Sequence, residues 1–132
     1  SWGIGGIYLA DEKTKELQLK NQKNYPDVLN KKLSLLSHEE GIGGFISKTL
    51  SPQHFRIERY PSYLPFRSLF KEAGITQVGF IPLVSHEKLV GIILLATKHK
   101  DAKAKYSHEL FTIIGENLGN AVTNAKAFRQ IA

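Results

Sequence analysis

Two apolar runs decide how this chain is organised: Gln77-Val78-Gly79-Phe80-Ile81-Pro82-Leu83-Val84-Ser85 and Lys88-Leu89-Val90-Gly91-Ile92-Ile93-Leu94-Leu95-Ala96-Thr97. The polar stretch Ser85-His86-Glu87-Lys88 joins them. Two runs of strand length with a short polar link between them are the pattern of a β-hairpin. In the second run apolar residues stand at consecutive rather than alternate positions. A strand of that kind needs cover on both sides, so it is expected at the centre of a sheet with both faces packed.

Working back from the hairpin, Phe66, Leu69, Phe70 and Ala73 fall at helical spacing, and Gly74 is a C-terminal stop. Tyr60-Pro61-Ser62-Tyr63-Leu64-Pro65 is stiff and aromatic, and its two prolines prevent regular strand pairing. Residues 54–58 alternate, with Phe55 and Ile57 on one side, as in a short edge strand. A helix is expected over about residues 43–50, burying Phe45 and Ile46 and ending before Ser51-Pro52. Ser37 and Glu40 stand three apart like a capping box, although Gly41 and Gly43 weaken a helix starting there.

Residues 21–30 are polar, carry Pro26, and read as a loop with a short helical turn. Leu33, Leu35 and Leu36 follow as an apolar approach. Residues 2–10 and 16–20 read as a hairpin around the polar Asp11-Glu12-Lys13-Thr14-Lys15, with Leu17 and Leu19 on one face. Past the second apolar run, Ser107 is a good N-cap for a last helix. There Phe111, Ile114, Leu118, Ala121, Ala125, Phe128 and Ala132 recur three and four apart, a seam that packs on a sheet or another helix. This helix is expected to continue past Ala132, so the sequence reads as an interior piece of a longer protein. The expected order is strand, strand, helix, short strand, helix, strand, strand, long helix: an α+β architecture with an antiparallel sheet and helices on both faces.

A chain of 132 residues that is 42% hydrophobic suits a single domain over residues 1–132. It has no cysteine, which excludes disulfides, thiolate metal sites, thiol nucleophiles and a thioether-linked chromophore. That fits a cytoplasmic location. The longest apolar run, residues 89–96, is far short of the ~20 residues that span a bilayer, so no membrane contact is expected of this segment. The net charge of +6 raises the question of nucleic acid. The basic residues are dispersed, however. The densest group, Lys98, Lys100, Lys103 and Lys105, is interrupted by His99 and Asp101. A solvated loop is the simpler reading of it, and a phosphate-binding patch the alternative.

Several local motifs, taken in order, resemble the GAF family of sensory domains. Gly6-Ile7-Tyr8-Leu9-Ala10-Asp11 resembles its first strand, and Glu40-Gly41-Ile42-Gly43-Gly44-Phe45-Ile46 its glycine-led helix start. Gly74-Ile75-Thr76-Gln77-Val78-Gly79-Phe80-Ile81-Pro82-Leu83 resembles the strand ending in a Pro-Leu pair, Leu89 to Leu95 the strand after it, and residues 107–127 the closing helix. The helix that precedes the first strand in that family has no counterpart here. The resemblance implies a PAS/GAF-related sheet of five to six strands in the order 2-1-5-4-3, with a pocket between the sheet and residues 41–73. Pro82 cannot donate to a ladder, so pairing is expected to break near it and open the pocket mouth.

The resemblance further implies a non-catalytic small-molecule sensor in a signal-transduction protein, such as a sensor histidine kinase or a cyclic-dinucleotide enzyme. Such a domain dimerises through terminal helices and signals to an effector domain in the same chain. Family members that attach a bilin through cysteine, and the free-methionine-sulfoxide reductases with catalytic cysteines, are excluded by composition. The Asn-Lys-x-Phe-Asp-Glu motif of cyclic-nucleotide members is absent. The ligand-binding residues implied are Phe45, Phe55, Ile57, Tyr60, Tyr63, Phe66, Phe70 and Phe80, because aromatic walls suit a small-molecule pocket. The same rings could instead fill the roof and leave no cavity. His54 is the candidate for a haem or polar-ligand contact, and Arg67 for an anionic one. Solvated surface is the simpler reading of each.

No catalytic residue is assigned. The chain has no Gly-x-Ser-x-Gly elbow, no phosphate loop and no isolated acid pair. Nor does it hold a His-Glu-x-x-His motif or histidines at helical metal spacing, so no metal site is expected. Gly41-Ile42-Gly43-Gly44 is either an anion cradle or, more simply, a tight turn with close packing. A ligand-free dimerisation module is the second functional reading, and a nucleic-acid binder the third.

Overall fold

The computed structural model describes residues 2–101; the helix expected from Ser107 onward lies outside them. The two apolar runs form β5 (Gln77–Ser85) and β6 (Lys88–Thr97), antiparallel in register from Gln77↔Thr97 to Ser85↔Lys88. A two-residue link must twist with its strands, which needs positive φ at both linking residues. His86 and Glu87 adopt φ 52° and 66°, although neither is glycine.

On the other edge of β6 lies β1 (Ile4–Ala10), then β2 (Glu16–Lys23), both antiparallel to their neighbours. At the opposite edge β4 (Gln53–Arg56) pairs with β5, and β3 (Leu35–Ser37) pairs with β2. The six strands run β3-β2-β1-β6-β5-β4. The five strands read from the sequence therefore lie in the order 2-1-5-4-3, with Leu35–Ser37 added outside them. Alternation over three residues is too short to see in a sequence, and only Leu36 of this strand is buried. The expected strand over 54–58 is shorter: Ile57–Arg59 turns into a 3-10 helix.

Side chains alternate across a strand. The register therefore puts Ile4, Tyr8, Val78, Phe80, Ile92, Leu94 and Ala96 on one face, where all are buried. Three short helices, α1 (Asp27–Lys32), α2 (Gly41–Thr49) and α3 (Arg67–Glu72), add Leu29, Ile42, Ile46 and Phe70 to the same core. The other face carries Ile7, Ile81, Leu83, Ile93 and Leu95.

α2 begins two residues earlier than expected, because its glycines serve close packing. A Cβ on Gly43 would overlap the Ser37 carbonyl, and one on Gly44 the Glu39 carbonyl. Only glycine lets the helix lie this close to the chain that enters it. Ser37 Oγ caps that entry, accepting the Glu39 and Glu40 N–H groups at 3.2 Å each. The first turn of α2 thus faces backbone oxygens, which favours the packing reading of the glycines over the anion cradle.

Pro82 corrects a second expectation. It sits in unbroken register with Ile92 of β6, and the only irregularity falls later, between Leu83 and Val84. β4 reaches only as far as Phe80, so Pro82 lies where β5 has no second neighbour to receive an N–H. It does not interrupt the ladder, and the pocket mouth attributed to it is withdrawn.

Under the roof on the β1 side, Tyr8 donates to the Leu33 carbonyl at 2.7 Å, and Tyr25 donates to Tyr8 at 2.9 Å. The Tyr25 ring lies over Gly6, where a Cβ would collide with it. Burial pushes the Tyr8 hydroxyl up to about 12 from 10.0, and burial together with Tyr8 raises Tyr25. The folded state keeps the Tyr8 proton where an unfolded tyrosine loses it. This contribution is therefore complete below pH 10.0 and disappears as pH rises through about 12.

Tyr8→Phe strands the Tyr25 hydroxyl and the Leu33 carbonyl and should cost about 1–3 kcal/mol, whereas Tyr25→Phe removes one bond and should cost about 0.5–1.5 kcal/mol. Urea unfolding at pH 8 checks that order, and the same titration between pH 10 and 12 should show a stability loss that is smaller in Tyr8→Phe. The left-handed hairpin residues give a gain instead. His86→Asn with Glu87→Gly should stabilise by about 1–2 kcal/mol, visible as a higher Tm.

Candidate functional site

The residues singled out from the sequence come from five elements. Phe45 projects from α2, Phe55 from β4, Phe70 from α3 and Phe80 from β5, while Tyr60, Tyr63 and Phe66 come from the proline-bearing connection between β4 and α3. Folding links five of these seven rings into a chain. Tyr63 meets Phe45 at 6.1 Å, Phe45 meets Phe55 at 6.2 Å, Phe55 meets Tyr60 at 5.8 Å, and Tyr60 meets Phe70 at 5.8 Å. Most contacts are edge to face, the arrangement that ring quadrupoles favour.

The chain runs from solvent into the core. Tyr63 is 73% exposed, Phe45 and Phe55 are half-buried, Tyr60 is 3% exposed and Phe70 is fully buried, as is Phe80 on the sheet beneath. Ile57 is buried in the same core. Tyr60 keeps its hydroxyl satisfied by donating to the Pro65 carbonyl at 2.7 Å, and burial raises its pKa. Phe66, half-buried at the N-terminus of α3, holds φ 78°. That is an outlier for a bulky side chain, held in place by its surroundings.

The two polar candidates stand outside the ring cluster, and both are exposed, in line with the simpler solvated reading. His54 alternates with Phe55 along β4, so it faces the opposite side of the sheet from the rings. There its imidazole contacts Trp2 edge-on at 5.5 Å and bonds Gln77 Oε1 at 2.7 Å. The alternation that brings Phe55 into the cluster is what turns His54 out of it. Arg67 donates through Nε to the Ile57 carbonyl at 3.1 Å and through Nη2 to the Glu58 carbonyl at 3.4 Å. Its exposed guanidinium closes the 3-10 turn and does not point among the rings.

Sequence reading missed Gln77. It is the one amide in an apolar run, and that was the available signal. Its side chain is 1% exposed. Sequence reading also missed the Tyr8–Tyr25 pair, for which nothing local gives a sign. The clefts lined by described residues include three. One of about 290 Å³ is on the second sheet face between Trp2, Gly5, Ile7, Lys23, Ile93 and Leu95. One of about 240 Å³ lies between Gly3, Asn24, Thr97, Lys98 and His99. A third of about 340 Å³ runs along Thr14, Lys15, Leu35, Ser37 and Glu39. None of these three touches the rings. Among the described residues no three His, Asp or Glu side chains gather as metal ligands, and no helix is long and apolar enough to cross a membrane.

A six-stranded antiparallel sheet in this order, with a helical roof on one face and a ring-rich connection over its β4–β5 half, is the GAF fold. The chain is similar to the GAF domain of a phosphoenolpyruvate-protein phosphotransferase from Coxiella burnetii, with TM-score 0.76 and 17% identity over 98% of this chain and 76% of that one. It is similar to the GAF domain of a two-component sensor histidine kinase from Bacillus halodurans, with TM-score 0.72 and 12% identity over 97% of this chain and 86% of that one. A type II free methionine-R-sulfoxide reductase from Thermoplasma acidophilum shares the fold, with TM-score 0.69 and 13% identity over 93% and 80%. No protein-family model matches the sequence, and no curated protein matches it.

The burial gradient along the rings predicts a gradient of stability. Phe70→Ala should cost about 3–5 kcal/mol, as for a core aromatic, whereas Tyr63→Ala should stay within about 0.5 kcal/mol of wild type. Guanidinium titration of the two variants measures both.

Proposed function

We propose that this chain is a non-catalytic sensory domain of a signal-transduction protein, such as a sensor histidine kinase or a cyclic-dinucleotide enzyme. Its ligand site is the ring chain under residues 41–73. The observation that carries this reading is the continuity of that chain from an exposed Tyr63 to the fully buried Phe70. A small molecule that seats against Tyr63, Phe45 and Phe55 presses on rings packed against the core, so binding and core packing share contacts. Phe66, held at φ 78°, is where the roof gains most by rearranging. The ligand chemistry is planar and largely apolar, since the polar atom of the inner rings, the Tyr60 hydroxyl, is already bonded to Pro65.

A ligand that binds one arrangement of the roof better than another shifts the population between them. The output is the helix expected from Ser107 onward, pairing with that of a second copy and acting on an effector domain in the parent chain. The reading is non-catalytic: a reductase shares the fold, but this chain has no cysteine to serve as a thiol nucleophile. A cytoplasmic location accords with the cysteine-free composition. Nucleic-acid binding gains no support from Arg56 and Arg67, whose guanidinium groups donate to backbone carbonyls.

A second reading is a ligand-free dimerisation module. It is favoured by the edge-to-face filling of the space between Tyr60 and Phe70, where the rings themselves occupy the room a ligand would need. Thermal unfolding against a library of metabolites, nucleotides and tetrapyrroles separates the two. A compound at 100 times its Kd should add about 2.7 kcal/mol, and Tyr63→Ala with Phe45→Ala should reduce that gain. A library with no stabilising compound would leave the dimerisation module as the function.

A further inference from the structure

A buried polar node outside the ring cluster stands at the start of β5, on the face of the sheet opposite the rings. Gln77, 1% exposed, directs its amide Nε2 toward the carbonyls of His99 at 3.5 Å and Lys100 at 3.3 Å. Its Oε1 therefore accepts from His54, whose Nε2 must carry a hydrogen to make the 2.7 Å bond. From the same face of β4, Arg56 Nη1 reaches the Lys100 carbonyl at 3.3 Å. Thr76 adds its hydroxyl, 3.1 Å from the Thr97 carbonyl and 3.0 Å from that of His99. Its own carbonyl accepts the N–H of Ile57, the residue that follows β4, at 3.0 Å.

Gln77, Arg56 and Thr76 thus tie the end of β4 and the start of β5 to the chain leaving the central strand at residues 97–100, while the His54–Gln77 and Ile57–Thr76 bonds join β4 and the residue after it to that group. Phe55, between His54 and Arg56, carries the ring cluster on the other face. A strand of four residues cannot shift Phe55 without moving its two neighbours, because successive side chains share one pleated backbone.

We propose that β4 is a lever through the sheet: Phe55 senses the packing of the roof, and His54, Arg56 and the buried Gln77 convey its position to the backbone of residues 97–100. This inference rests on the sensory reading and names the route by which a change among the rings leaves the domain. Gln77 is a positioning residue in that route. Its two donors and one acceptor are matched to groups on both sides, so it holds the exit segment only while β4 keeps its place. A small roof displacement then becomes a change of hydrogen bonding at the point where the chain departs, without unfolding of the core.

The test needs no ligand, so its result is independent of the library screen. Phe55→Leu trims the sensing ring, and amide hydrogen exchange is read at His99 and Lys100. The expected result is a change of about two-fold or more, the lower end of coupling between groups in contact. That change is lost when Phe55→Leu is made in a Gln77→Met, Arg56→Ala background. Leu36→Val, at the far edge of the sheet, is the control for general destabilisation and should not reproduce it. An equal change with and without Gln77 and Arg56, no change in either, or the same change from Leu36→Val would each overturn the lever. If Gln77→Met does not fold, His54→Ala with Arg56→Ala removes the exposed arms and serves the same comparison. Loss of the lever with a ligand still found would leave the sensor standing. A lever without any ligand would leave the coupling and remove the sensor.

Discussion

The central strand β6 imposes the constraint on which the rest is built. Ile92, Leu94 and Ala96 are fully buried on one face, and Ile93 and Leu95 stand on the other. Such a strand must have ladder partners at both edges and cover above and below, since each backbone polar group and each apolar side chain withdrawn from water needs a partner. β5 meets one edge through a two-residue link, and β1 returns to meet the other. The remaining strands add outward from these, so the order of the sheet follows from the burial of one element.

The roof is attached to that sheet by two different kinds of contact. On the β1 side the attachment is polar and directional. Tyr25, Tyr8 and the Leu33 carbonyl form a buried relay in which every hydroxyl has an acceptor, and α2 lies so close to its entering chain that only glycine fits at residue 43. On the β4–β5 side the attachment is largely a succession of ring edges meeting ring faces, and among those rings Tyr60 makes a polar bond, to Pro65 within the roof. Ring contacts are less directional than hydrogen bonds and rearrange at lower cost. On the proposed sensory reading, the half of the roof held by rings is the half that responds to a small molecule, and the half held by the tyrosine relay is its fixed reference.

The candidate site was only partly legible. The rings were visible as a cluster in sequence because proline and aromatic residues crowd residues 55–70. Their joining into one chain graded from solvent to core was not, because it depends on α2, β4, α3 and the connection before α3 converging. His54, a candidate for a polar-ligand contact beside the simpler reading as solvated surface, faces away from the rings: it adjoins Phe55 in sequence, but neighbours in a strand face opposite ways. Arg67, a candidate for an anionic ligand beside the simpler solvated reading, bonds the carbonyls of the 3-10 turn. Neither turn nor carbonyl orientation is encoded in the residue types around it.

Hydrophobic patterning by itself determined the two hairpins, the central place of β6, the helix ending at Gly74 and the exclusion of thiol chemistry, because periodicity and composition are local properties. Only the tertiary structure decided that Leu35–Ser37 is a sixth strand, that Pro82 sits harmlessly beyond the end of β4, that two tyrosines 17 residues apart share a hydrogen bond, and that Gln77 joins β4 to the departing chain. Each of these depends on which distant backbone arrives alongside. That is set by the summed burial of the whole chain, which no single stretch of sequence contains.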